Sequence, residues 1–140
     1  MTAARVTLPV PAHALPARTP RELLVKAREG LAEAAEIGTP GMRYATAHLA
    51  ALRCAAAVLA ARALPAPGRP RARVTSVWSL LPLVAPELTE WASHFAATSS
   101  KRAAAEAGIP QAVTGVEADA LLASATQFCA VVETVLGGAR

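Results

Sequence analysis

The sequence predicts an all-α fold, an antiparallel up-and-down bundle of four main helices plus a short helix or turn near residues 74–83. Three observations predict it. Apolar residues recur three and four apart over four long stretches. Two of these stretches open on the same start signal, TPRE at Thr19 and TGVE at Thr114. The chain is 54% hydrophobic but only 4% aromatic, so its apolar content is largely alanine, leucine and valine. Alanine leads the helix-propensity scale because it loses no side-chain entropy there. At 140 residues the chain suits one domain around one core.

Residues 1–18 read as a disordered, proline-spaced N-terminal tail, in which Pro9, Pro11 and Pro16 undercut the alternation of Val6, Leu8 and Val10. The helical domain follows over residues 19–138. Its first helix starts with Thr19 as cap, Pro20 at the first helical position and Glu22 closing a capping box. Leu23, Leu24, Ala27, Leu31 and Ala34 form its buried stripe, and Gly38 with Pro40 ends it.

The second helix runs from about Met42 to Ala63, with Ala45, Leu49, Leu52, Ala56 and Leu59 as a small-residue packing seam. The segment LPAPGRPRAR, with three prolines and a glycine, is a loop. A short helix or turn comes next, with Val74, Val77, Trp78 and Leu81 on one side before Pro82. Pro86 opens a third long helix from about Glu87 to Ala107, carrying Leu88, Trp91 and Phe95 on one face. The last helix is capped at Thr114 and carries Leu121, Ala125, Phe128, Val132 and Val135 as far as Gly137 and Gly138.

Composition excludes several classes. The longest alanine-rich run, CAAAVLAA, is confined between Arg53 and Arg62, short of the about 20 apolar residues of a membrane span. The prolines of the N-terminal segment rule out a secretory signal, which leaves a cytoplasmic, non-membrane protein as the expectation. Cys54 and Cys129 lack any CxxC or cysteine–histidine spacing and read as buried, reduced thiols. No metal site and no cofactor is expected, since glycine-rich phosphate loops, HExxH and GxSxG are missing.

Charge is informative once located. No acidic residue lies between Glu36 and Glu87, an interval that holds Arg43, Arg53, Arg62, Arg69, Arg71 and Arg73. Those six exceed the net charge of +4, so the remainder of the chain is slightly acidic. A basic middle fits an anionic partner, nucleic acid first, while a solvated arginine-rich loop gives the same count. Arg53, Arg62, Arg69, Arg71 and Arg73 are the candidate nucleic-acid-binding residues.

Of three histidines, His13 lies in the tail and His94 reads as a partly buried neighbour of Phe95. His48 differs because Arg43 precedes it in GMRYATAHLA. An arginine and a histidine suffice for cleavage of RNA by its own 2′-hydroxyl. The cation holds the phosphate as charge develops, and the imidazole, which ordinarily titrates near pH ~6.5, moves protons. Positions five apart on a helix nevertheless diverge by about 140°. Either Arg43 reaches back from the helix start or a second copy completes the site; Tyr44 and His48, four apart, share a face.

The stretches RYATAHLAALRCAAAVLAARA, SVWSLLPLVAPELTEWASHFAA and VTGVEADALLASATQFCAVVE resemble the HEPN superfamily (higher eukaryotes and prokaryotes nucleotide-binding), in particular its small free-standing actinobacterial branch. The resemblance covers roughly Arg21 to Leu136 and implies a helical bundle that is often homodimeric. It also implies one of two functions. In one, the domain is a noncatalytic partner of a nucleotidyltransferase or nucleic-acid enzyme and binds RNA, DNA or nucleotide-like anions. In the other, it is a metal-independent endoribonuclease of toxin or defence type, with Arg43 on the scissile phosphate and His48 in proton transfer. Tyr44 directly after the arginine, and the place of the motif at the start of the second helix, point to the noncatalytic class.

Overall fold

The computed structural model describes residues 18–62 and 76–137; the expected tail and the arginine-rich loop lie outside them. Six α-helices run in the order α1 (Pro20–Glu36), α2 (Pro40–Arg62), α3 (Val77–Val84), α4 (Thr89–Ala97), α5 (Ser99–Glu106) and α6 (Gly115–Val135) among the described residues, which contain no strand. This is the expected all-α, up-and-down bundle. Both start signals work as capping boxes. Thr19 Oγ1 accepts from Glu22 N at 3.0 Å while Glu22 Oε1 accepts from Thr19 N at 2.9 Å, and Thr114 with Glu117 repeats the arrangement.

α2 is the central helix and packs against α1, α6, α5 and α3. Its neighbours divide the core in two. Toward α1 the interface is built from Ala27, Gly30 and Ala34 facing Ala47, Ala50 and Ala51, all buried. Small side chains let the two backbones approach closely: a Cβ built on Gly30 would lie 3.5 Å from that of Ala50. On the other flank sits an aromatic group in which Phe95 is stacked on Trp78 at 5.2 Å and tilted against Phe128 at 5.2 Å, with Trp91 5.4 Å from Phe128. Few in number, these rings fill the space that alanines leave where α3, α4 and α6 meet α2. Across the far side, Arg28 on α1 holds Glu133 on α6 with two hydrogen bonds, Nε to Oε2 at 3.0 Å and Nη2 to Oε1 at 2.6 Å.

Two details differ from expectation. Of the expected α2 seam, Ala45 is buried and Leu52 packs partly against the core, but Leu49 is 40% exposed and Ala56 and Leu59 are only half-buried; the buried set also includes Tyr44, Ala47, His48, Ala51, Cys54, Ala55 and Val58. An alanine-rich helix is apolar around most of its circumference, so its period is clear while its phase is not. The third long helix is broken at Thr98, because the Phe95 carbonyl takes three donors from the following residues. Thr98 N lies at 3.2 Å, Thr98 Oγ1 at 2.8 Å and Ser99 Oγ at 3.3 Å, a local hydroxyl-to-backbone competition that disrupts the α-helical ladder.

By length and composition α2 and α6 are each apolar enough to cross a membrane, in contrast to the short run read from the sequence. Both are packed within the bundle, and core helices meet the same criterion.

The alanine seam yields a stability prediction. Gly30→Ala adds a methyl group at ordinary van der Waals distance and removes helix-interior glycine entropy, so it is expected to raise the unfolding free energy by about 0.5–1 kcal/mol. Ala51→Leu, in a position with no exposed surface, is expected to lower it by about 1–3 kcal/mol through overpacking. Urea titrations followed by circular dichroism read both.

Candidate functional site

Arg43 stands one turn into α2, where its backbone N bonds Thr39 O at 2.9 Å. The guanidinium turns back over the end of α1. Nη1 donates to Ile37 O at 2.7 Å and Gly38 O at 3.3 Å, satisfying carbonyls beyond the last turn of that helix. Nε lies 3.1 Å from Asp119 Oδ1 on α6, and the Arg43 side chain is 14% exposed. The Nε–H is not aligned on that oxygen, which makes the attraction Coulombic rather than a hydrogen bond. Arg43 thus ties α1, α2 and α6 together.

His48 lies more than one turn further on and is 2% exposed. Its ring is edge-on to Trp78 and Phe95, each at 6.0 Å, and its Nε2 is 3.2 Å from Phe95 O. A carbonyl only accepts, so Nε2 carries the proton and donates. Burial pushes the imidazole below the ordinary histidine range; the Phe95 bond opposes this, and the Arg102 cation adds to the depression. His48 is a neutral donor inside the core, bordering a small cavity of about 60 Å³ with Leu49, Leu52, Arg102 and Glu106. Arg43 and His48 share no hydrogen-bond partner among the described residues.

The remaining basic candidates separate. Arg62 closes the end of α2 by bonding Val84 O at 3.1 Å and pairing with Glu87 Oε2 at 3.0 Å. Arg53 is half-buried beside Gly30. Arg69, Arg71, Arg73 and His13 lie outside the described residues. Cys54 and Cys129 are free and buried; the neighbouring Cys129 and burial push the Cys54 thiol far up, keeping it protonated. No group of three metal-ligating side chains occurs among the described residues.

The break at Thr98 borders a cleft that the sequence did not announce. About 330 Å³ in volume, it lies between the α4–α5 junction and the first half of α6, with Tyr44 behind it. Lys101 Nζ and Glu117 Oε2 meet at 2.8 Å on its rim. This pairing raises the lysine above its ordinary range and lowers the glutamate below its own. His94, expected to be partly buried, is exposed, sits edge-on to Trp91 at 6.5 Å and lines the cleft together with Ser124. Tyr44 is 4% exposed, and desolvation raises its phenol, which therefore stays neutral. The signals were present as SSK after Phe95 and as the capping glutamate of TGVE, but each has a complete local explanation.

Residues 34–133, more than half of the chain, match the SAV_6107-like HEPN family. The chain belongs to the HEPN family. The matched span of this HEPN domain includes Arg43, His48 and every residue of the cleft. No curated protein and no solved structure gives a match to the chain.

The buried imidazole sets a pH dependence. The unfolded chain protonates His48 near pH ~6.5, the value of a free imidazole, whereas the folded chain does so only at lower pH. The stabilisation is therefore complete above pH ~6.5 and is lost as pH falls through the folded-state value. Thermal melts of the wild type are expected to shift down between about pH 7.5 and about pH 5. His48→Gln, which keeps a donor for Phe95 O and cannot titrate, is expected to shift less over that range. At neutral pH His48→Ala is expected to cost about 2–4 kcal/mol through the cavity and the missing hydrogen bond.

Proposed function

We propose that this HEPN domain is a noncatalytic nucleic-acid-binding module, acting in the cytoplasm beside a nucleotidyltransferase or nucleic-acid enzyme. The observation that carries the reading is that both members of the R-x4-H pair complete the fold: His48 is 2% exposed with its Nε2 on Phe95 O. Arg43 is held by Ile37 O, Gly38 O and Asp119. A general base must reach the proton it moves, and this imidazole faces aromatic rings. Affinity for RNA or DNA rests on Arg53, Arg62, Arg69, Arg71 and Arg73 in the acid-free interval. A homodimer fits the apolar outer face of α2, where Met42 is 55% and Leu49 40% exposed one heptad apart.

A metal-independent endoribonuclease is the second reading, and one observation favours it. The spacing of Arg43 and His48 is consistent with the R-x4-H motif and falls within the family-matched residues. That reading has a motif behind it, where the binding reading has charge and burial. It requires His48 to leave its place beside Phe95, or a second copy to complete the site.

RNA incubation in EDTA separates the two. The binding reading expects no cleavage by wild type or by His48→Gln, together with retardation of RNA or DNA that weakens as salt rises. Replacing Arg69, Arg71 and Arg73 with glutamine is expected to flatten the salt slope by about 0.7–0.9 for each phosphate no longer neutralised. EDTA-resistant cleavage by wild type that disappears in His48→Gln would overturn it in favour of the enzyme.

A further inference from the structure

We infer that the cleft between the α4–α5 junction and α6 receives an unpaired guanine base, read by Lys101 and Glu117. The inference rests on the nucleic-acid reading and adds to it a base preference and a site away from the R-x4-H pair.

The geometry starts with the ion pair. Lys101 Nζ and Glu117 Oε2, 2.8 Å apart, place a three-donor ammonium beside an acceptor-only carboxylate on the rim of the 330 Å³ cleft. The carboxylate is oriented in advance, since its Oε1 accepts from Thr114 N at 2.9 Å in the capping box. Each oxygen retains a free lone pair for a ligand. With side chains 39% and 41% exposed, the pair can open toward an incoming group without unfolding its helices.

The other lining residues define the rest of the ligand. Leu121 and Ala97 supply apolar surface and His94 supplies an imidazole, while the buried Tyr44 lies behind. Apolar surface beside a charge-neutral ion pair suits a ligand with apolar faces, one polar edge and little net charge. An unstacked nucleobase meets this description: such bases are recognised by stacking on aromatic side chains, including histidine, and by hydrogen bonds to the Watson–Crick edge.

Guanine fits that edge best. Its O6 accepts from the ammonium, and its N1–H and N2–H₂ stand side by side as donors to the carboxylate. Adenine and cytosine offer one amino group next to a ring acceptor. Uracil sets a single N–H between two carbonyl oxygens, one of which would face the carboxylate. Two donors on a carboxylate form the stronger, charge-assisted arrangement.

The test uses the full chain with guanosine, inosine and adenosine, followed by calorimetry and by amide shifts at Lys101, Glu117 and Ser124. Guanosine is expected to bind about tenfold tighter than inosine, which lacks the N2 amino donor, in line with the discrimination of a good bidentate pair. Glu117→Gln keeps a capping box and is expected to abolish that preference with the fold intact by circular dichroism; Lys101→Met is expected to weaken guanosine. Equal affinities, no guanosine binding, or a preference that survives Glu117→Gln would overturn the proposal. A parallel arm uses single-stranded RNA with one guanine or inosine. Unselective RNA binding without guanosine selectivity overturns the pocket and leaves the nucleic-acid reading standing. Selective guanosine binding without RNA binding supports the pocket as a nucleoside site and removes the nucleic-acid reading.

Discussion

The carbonyl of Phe95 is the point on which the rest of this fold turns. It accepts from His48 Nε2 on α2 at 3.2 Å, and from the backbone and hydroxyl of Thr98 and the hydroxyl of Ser99 just after it in the chain. A carbonyl buried among aromatic rings would be costly if unpaired. Here it is oversupplied with donors, and the consequence is structural: α4 stops, α5 begins, and α2 is fastened to the junction. His48 is buried in the core, and its role there is that of a polar pin through a largely apolar wall.

From this pin follow the surroundings of both the R-x4-H pair and the cleft. The imidazole bonds the Phe95 carbonyl, and the arginine five residues before it closes the end of α1. The same junction that holds His48 starts α5, and α5 brings Lys101 to Glu117 at the start of α6. Tyr44, four residues before His48 on the same face, sits behind the cleft so formed. Position along α2 thus decides the fate of three polar side chains: inward and bonded for His48, behind a cleft for Tyr44, and across a helix end for Arg43.

Much of this was legible in the sequence, and the reasons for the remainder are physical. Helix starts at Thr19 and Thr114 were readable because a capping box is local: both partners lie within four residues. The stops at Gly38 and beyond Val135 were readable for the same reason. The phase of α2 was not, because alanine on every side erases the difference between inner and outer faces, and the partly exposed seam of Leu49, Leu52 and Leu59 was the more conspicuous pattern. The break at Thr98 was hidden because the acceptor at its centre is shared with a histidine 47 residues away, which is a tertiary relation. The divergence of Arg43 and His48 was visible from helix geometry alone; what each side chain does instead depends on α1, α4 and α6. Lys101 and Glu117 carry no sequence signal as a pair, because an exposed lysine and a capping glutamate have sufficient local explanations and only packing makes them neighbours.

That His48 is a buried, neutral donor to the Phe95 carbonyl is tested most directly by long-range proton–nitrogen correlation spectra of the histidine side chains, recorded across pH. A buried donor gives a neutral tautomer with the proton on Nε2 that titrates only below the range of a free imidazole. A His48 ring that titrates with a midpoint at or above about 6.5, or that carries its proton on Nδ1, would contradict it.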